Sequence, residues 1–330
     1  MRKALVIGVD DYPAPHELSG CINDALQMSN MLEKNGDGSP NFDVKTLTSD
    51  TQVITSELLA DSIDQLFHGE AETAVFYFAG HGLISDQTNS GFLVSQDGRK
   101  PHWGYNISDL INKANGANPQ IQTTVIILDC CQSGFAGENA AFHNENLSVL
   151  GKGLTILTAS RSDEYAVEEN GSGVFTDLMV DGLGGSASDI LGRVTPASLY
   201  SLVDQTLGGW GQRPIYKANV QKFVTLRQVP PKIAPELLRR LPEWFPTPTH
   251  RFPLDPSYEP DRQNIPVEFR DLPVDPHKTA VFKDLQKMNR HGLVVPVDVE
   301  HMYDAAIQST SCKLTGLGSH YRKLAELGRI

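Results

Sequence analysis

Six apolar runs punctuate residues 1–227 of this 330-residue chain, and segments of helical period separate most of them. That alternation is the strongest constraint on what the chain can fold into. The runs fall at 3–9, 43–48, 73–79, 123–129, 154–160 and 213–226. Several are rich in Val, Ile and aromatic residues with no polar alternation, the pattern of strands buried on both faces. Between them, 20–34, 55–67, 107–114, 173–183 and 196–207 have helical period, with Ile22, Ala25, Leu26, Met28 or Ser29, and Leu32 turned toward a core in the first. The expected fold class is α/β, a mostly parallel sheet flanked by helices on both faces.

Two of the apolar runs stop at reactive side chains. One is Ala74-Val75-Phe76-Tyr77-Phe78-Ala79-Gly80-His81-Gly82; the other is Val125-Ile126-Ile127-Leu128-Asp129-Cys130-Cys131-Gln132-Ser133-Gly134. In a parallel sheet, side chains at neighbouring strand C-termini converge on one crevice. A histidine and a cysteine delivered there are a base and a nucleophile, suited to thiol attack on a carbonyl. Flanking glycines let backbone come close to a ligand. Successive strand side chains point to opposite faces, so only one of Cys130 and Cys131 can face the crevice.

Phe-Ala-Gly-His-Gly and Asp-Cys-Cys-Gln-Ser-Gly resemble the histidine and cysteine motifs of the caspase-like cysteine peptidases, above all the metacaspase and prokaryotic caspase-like branch. A third match is Ala4-Leu5-Val6-Ile7-Gly8-Val9-Asp10-Asp11-Tyr12 followed by Leu18-Ser19-Gly20-Cys21-Ile22-Asn23-Asp24-Ala25. The resemblance covers roughly residues 1–227. It implies a dyad, with Cys131 as nucleophile, His81 as general base and acid, and Cys130 packing in the core. The oxyanion donors it implies are the backbone N–H groups of Gly82 and Cys131. Asp24 and Asp129 would floor a pocket for a basic side chain, giving cleavage after Arg or Lys; the alternative for each is helix-turn or strand-end capping. Animal caspases, which cut after Asp, carry an arginine at the position of Leu18. Ser160, in Thr158-Ala159-Ser160, would contact substrate, or simply close a strand in a polar turn. Two positions depart from the metacaspase pattern: Ala79 where Ser often stands, and Gln132 where His often stands.

Residues 135–153 break the strand–helix order and read as an exposed loop. The resemblance makes this the junction between large and small subunits, and Lys152 is its basic residue, a candidate processing site. Twelve of the twenty prolines lie between Pro230 and Pro276, interleaved with Trp244, Phe245, Phe252, Tyr258 and Phe269. The expected organisation is a peptidase domain at 1–227, a proline-rich extended connector with docked rings at 228–278, and a small α+β unit at 279–330. In that unit Leu314-Thr315-Gly316-Leu317-Gly318 resembles the last part of winged-helix domains.

Composition bounds the rest. No apolar run is long enough to span a membrane, and the run at 5–9 is too short for a signal-peptide core, so a cytoplasmic protein is expected. Four cysteines, two of them adjacent, do not make a disulfide framework or a zinc site. No cofactor or metal is expected. Calcium activates many metacaspases, but no EF-hand loop is present; only Asp86 and Asp97 offer a loose site. Residues 1–227 carry 27 acidic against 14 basic side chains, which favours basic protein substrates and disfavours nucleic acid, the alternative being ordinary solubility charge.

The expected function is therefore a regulated cysteine endopeptidase, controlled by an activating protease or a sensor protein. Family context suggests an effector of bacterial stress or antiviral defence. Two rivals stand beside it. A catalytically silent scaffold is disfavoured by the intact dyad residues. A regulator that binds protein or DNA through 279–330 is disfavoured, for DNA, by that segment's mild positive charge.

Overall fold

The computed structural model describes residues 1–85, 90–130, 150–159, 168–169, 172–207, 214–261, 263 and 265–330. They form two compact units, residues 1–188 with 192–230, and residues 231–330 with 189–191.

The first unit is built on a six-stranded sheet of β1 (Arg2–Gly8), β2 (Asp43–Thr48), β3 (Ala71–Ala79), β7 (Ile121–Asp129), β8 (Leu154–Thr158) and β12 (Ile215–Asn219). Their order is β12-β8-β7-β3-β1-β2, parallel throughout except for the antiparallel edge strand β12. Helices α2 (Ser56–Phe67) and α3 (Ile107–Gly116) cover one face; α1 (Cys21–Glu33), α4 (Val174–Asp181) and α5 (Pro196–Leu207) cover the other. Strand alternation divides the core between the two. Phe76, Phe78, Ile126 and Leu128 pack toward α2 and α3, and Val75, Tyr77, Val125 and Ile127 toward α1 and α4. Burying each such side chain contributes about 1.5–3 kcal/mol before ordering entropy offsets it.

Helix α1 differs from its expected face. Leu26 is exposed, and Asp24 is buried beside Ala25 and Met28. The helix starts against the Asp10 carboxylate, which accepts hydrogen bonds from the N–H groups of Cys21 (2.8 Å) and Ile22 (3.1 Å). Carboxylate capping of this kind satisfies helix-end donors and favours the positive end of the dipole.

The expected strand at 213–226 is shorter. β12 ends at Asn219 because its partner β8 begins at Leu154, just past Gly153, whose φ of +80° breaks the strand. The chain returns later as β13 (Arg227–Gln228), paired with β11 (Arg193–Val194). A second sheet was not foreseen: β4 (Gly82–Ser85), β5 (Ser90–Arg99) and β6 (His102–Asn106), antiparallel in the order β4-β5-β6. It leads directly into α3, whose first turn the Asn106 side chain caps.

The second unit has its own core. An antiparallel sheet, β14 (Arg251–Pro253), β16 (Ser311–Leu314) and β15 (Val294–Val297) in that order, packs with α8 (Pro276–Arg290), α9 (Met302–Ile307) and α10 (Gly316–Glu326). The proline-rich segment contributes α6 (Pro235–Leu238) and α7 (Leu241–Trp244), and it buries Trp244, Phe245 and Leu254 among Phe282, Leu285, Cys312 and Tyr321. The proline-rich segment thus contributes buried side chains to this unit's core from Ile233 to Leu254, rather than being a connector laid along a surface, while Val267, Leu272 and Val274 are exposed. The Leu314–Gly318 motif has a local cause. Thr315 accepts the Gly318 N–H at 3.0 Å to cap α10, and a Cβ on Gly318 would fall 2.0 Å from the Leu293 carbonyl oxygen.

Candidate active site

Strands β3 and β7 are adjacent, and their register pairs Ala79 with Asp129. The Gly80 N–H donates to the Asp129 carbonyl at 3.3 Å. Gly80 and Cys130, the next residue of each strand, therefore leave the sheet side by side.

His81 is held on three sides. Its backbone N–H donates to the Tyr12 hydroxyl (3.0 Å), which in turn donates to the Val94 carbonyl (3.1 Å). The Tyr12 ring lies against the imidazole, 4.6 Å between centroids. Burial pushes the Tyr12 phenol well above 10, so it remains a donor. Gly80 is required for this approach, since a Cβ there would come within 2.6 Å of the Tyr12 oxygen. The imidazole Nε2 lies 2.7 Å from the His16 carbonyl oxygen. A carbonyl can only accept, so the hydrogen bond assigns the proton to Nε2. In the neutral ring that leaves Nδ1 with the lone pair, ready to accept a proton from a neighbouring acid.

Gly82 opens β4 opposite Leu93, and the Val94 N–H donates to the His81 carbonyl at 2.9 Å. That pattern makes Gly82 and Leu93 a non-hydrogen-bonded pair, so the ladder does not use the Gly82 N–H. It remains a donor beside the imidazole.

The two acidic residues meet on the α1/α4 side of the sheet. Asp24 and Asp129 are 2% and 6% exposed. Asp24 Oδ2 accepts the Gly173 N–H at 3.0 Å; Asp129 Oδ2 accepts the Thr176 hydroxyl at 2.7 Å. Gly173 ends a two-residue strand, β10 (Ser172–Gly173), paired with β9 (Glu168–Glu169). A Cβ on Gly173 would lie 2.5 Å from Asp129 Oδ2 and 3.0 Å from Asp24 Oδ2, so both carboxylates converge on this one glycine. Behind them the Tyr77 hydroxyl is 2.6 Å from the Thr176 oxygen. Thr176 spends its one proton on Asp129, so Tyr77 must donate to Thr176. Burial, then the charges of Asp129 and Asp24, push the Tyr77 phenol well above 10 and keep that proton in place.

Other expected residues are distributed differently. Cys130 is 1% exposed and packs with Leu128 in the α2/α3 face, where it is shut away from solvent. Cys131 and Ser160 lie outside the described residues. Lys152 is exposed in the turn before β8. Asp86 is also outside the described residues, while Asp97 accepts hydrogen bonds from Ser95 (2.6 Å), the Ser56 N–H (2.9 Å) and the Ser56 hydroxyl (3.0 Å). Among the described residues, no group of three or more His, Cys, Asp or Glu side chains is placed to hold a metal ion. Four participants were not singled out from sequence: Tyr12, His16, Gly173 and Thr176. Tyr12 sits inside a motif that marked the resemblance, and Gly173 and Thr176 sit at the start of the helical segment 173–183. His16 contributes only its carbonyl, which leaves no residue-type signal.

Residues 1–224 match the family model of the caspase domain. Metacaspase-1A of Aspergillus oryzae is 30% identical over 148 residues, which is 41% of this chain and 35% of that protein. Metacaspase-1 of Botryotinia fuckeliana is 28% identical over 197 residues, 53% of this chain and 46% of that protein. The chain thus spans about a third to a half of the length of these curated relatives. The crystal structure of caspase-1 from Spodoptera frugiperda superposes with a TM-score of 0.50 at 12% identity, covering 69% of this chain and 90% of that one, a likeness of fold. With its parallel sheet, its histidine and cysteine strand ends and a family match over two thirds of its length, the chain belongs to the caspase-domain family of cysteine peptidases.

Proposed function

We propose that this protein is a cysteine endopeptidase that cleaves protein substrates after Arg or Lys through a Cys131–His81 dyad. The observation that carries the reading is the His81 imidazole, whose Nε2 is engaged by the His16 carbonyl at 2.7 Å beside the end of β7. Nδ1 then takes the thiol proton, and Cys131 Sγ attacks the scissile carbonyl carbon. The carbonyl π electrons move to oxygen, and the Gly82 N–H, with that of Cys131, stabilises the oxyanion. Collapse breaks the C–N bond, and the imidazolium returns its proton to the leaving amine. Water, deprotonated by the same imidazole, hydrolyses the thioester and regenerates the thiol.

Specificity follows from the carboxylates around Gly173. Asp24 and Asp129 both reach toward it, and two like charges so close favour a cation between them. A guanidinium or ammonium relieves their repulsion and gains charge-assisted hydrogen bonds. Ser160 is proposed as a further substrate contact. Control is assigned to cleavage at Lys152, an exposed basic residue that the enzyme or a second protease can cut. A role in a bacterial stress or antiviral circuit, in the cytoplasm, rests on the sequence resemblance alone.

Digestion of an unbiased peptide library by the full chain tests the reading, with Cys131→Ala as the blank. Cuts after Arg and Lys that vanish in the blank are expected. Cuts after Asp, or cuts that persist in the blank, refute it.

A further inference from the structure

A cavity of about 350 Å³ opens beside His81, and neither Asp24 nor Asp129 is among the residues lining it. Tyr12, His81, Leu83, Val94 and Trp103 are among the residues lining it, and Gly82 lies at its edge. Tyr12 packs in the α2/α3 face of the core, whereas Asp129 bonds Thr176 of α4 on the opposite face. The cavity is thus on the α2/α3 side of the sheet and the acidic pocket on the α1/α4 side, and His81 lines the cavity.

We propose that this cavity is the leaving-side subsite of the peptidase, and that it takes the side chain of a large apolar or aromatic residue immediately following the scissile bond. The inference rests on the proposed dyad. A substrate whose basic side chain enters between Asp24 and Asp129 presents its carbonyl to the Gly82 N–H. The amine it releases must receive its proton from His81, so the leaving chain starts over the imidazole. The imidazole lines the cavity.

Its lining fixes the class of occupant. The two hydroxyls at its wall already have partners, while the imidazoles of His16 and His81 and the Trp103 indole also line it. The Tyr12 hydroxyl is bonded to the His81 N–H and the Val94 carbonyl, and the Ser95 hydroxyl to Asp97 and Ser56. Away from the imidazoles, Pro13, Leu83, Val94 and Trp103 give a mostly apolar wall, which gains from excluding water and loses by desolvating a charge. The volume is at the lower end of the range for ligand pockets, enough for one large side chain. The wall is firmly built. A Cβ on Gly98 would come within 2.2 Å of the Trp103 carbonyl oxygen, and one on Gly104 within 2.1 Å of the Leu93 carbonyl oxygen. Both glycines bring β6, which carries Trp103, hard against β5.

The test uses internally quenched peptides of one sequence with Leu, Phe, Gly or Asp after the scissile Arg, hydrolysed by the full chain. Apolar pockets discriminate by roughly tenfold or more per large side chain. The kcat/KM ratio of the Leu or Phe peptide to the Gly peptide should be about tenfold or more. In Trp103→Ala that ratio should collapse to within about threefold. In Leu83→Lys the order should invert toward Asp, a gain that misfolding cannot mimic. A native enzyme indifferent to this position, or a preference untouched by both variants, overturns the proposal. If cuts do not follow Arg or Lys yet show the same Trp103-dependent preference after the cut, the subsite stands and the basic-residue reading falls. If no peptide is hydrolysed, both fall.

Discussion

The Tyr77–Thr176–Asp129 relay gives a prediction whose sign and size both follow from hydrogen-bond direction. Thr176→Val keeps the shape and removes one hydroxyl. The Thr176 bond to Asp129, 2.7 Å long, is lost. A hydrogen bond to a charged group contributes about 1.5–3 kcal/mol. The fully buried Tyr77 hydroxyl also loses its acceptor, and an orphaned buried donor costs about 1–3 kcal/mol. Together the substitution should destabilise the first unit by about 3–5 kcal/mol. Tyr77→Phe alone breaks only a neutral bond and leaves Thr176 on Asp129, so it should cost about 0.5–1.5 kcal/mol. In the double variant no hydroxyl is orphaned. Adding Tyr77→Phe to Thr176→Val should therefore recover about 1–2 kcal/mol rather than cost more. Urea unfolding of the full chain, read at the transition that Thr176→Val moves, measures the cycle. Strict additivity, or a Thr176→Val cost below about 1 kcal/mol, would refute the assigned donor directions.

Three further outcomes are expected. Tyr12→Phe removes the group that anchors the His81 backbone, so kcat should fall about tenfold with KM little changed, the signature of a positioning residue; an unaltered kcat counts against it. Gly318→Ala forces a methyl onto the Leu293 carbonyl and should cost about 1–3 kcal/mol, seen as faster hydrogen exchange in α10 and β15. Burial raises the phenols of Tyr12 and Tyr77 well above 10 and that of Tyr105 to about 12. The unfolded chain releases these protons near pH 10 while the folded chain keeps them, so stability is intact below pH 10 and falls as pH rises from 10 through 12. Tyr77→Phe should flatten that decline, and an unchanged alkaline slope would contradict it.

Much of the first unit was legible because its central strands are continuous apolar runs, which mark parallel strands buried on both faces. Helix α1 shows where that signal stops. Its hydrophobic pattern favours Leu26, but the fold buries Asp24 instead, because Gly173, 149 residues later, donates to it. No local pattern encodes such a partner. The β4–β6 sheet was missed for a similar reason. Phe92-Leu93-Val94 reads as one apolar run, yet only Leu93 is fully buried. In the second unit, prolines concealed two short helices by standing in their first turns, where the missing N–H costs nothing. His81, Asp24 and Asp129 were candidates from their motifs alone. The His16 carbonyl that orients the imidazole could not, because every residue has a carbonyl.

The most direct test of the proposed chemistry is covalent labelling of the native full chain by a peptidyl-arginine acyloxymethyl ketone, mapped by mass spectrometry. Among the described cysteines, Cys21, Cys130 and Cys312 are all buried, and burial pushes the Cys312 thiol to about 12. The account predicts label on Cys131, greatly reduced by His81→Ala or Asp24→Asn, and little reaction with the aspartyl analogue. Label on another cysteine, or equal reaction with the aspartyl reagent, would contradict it.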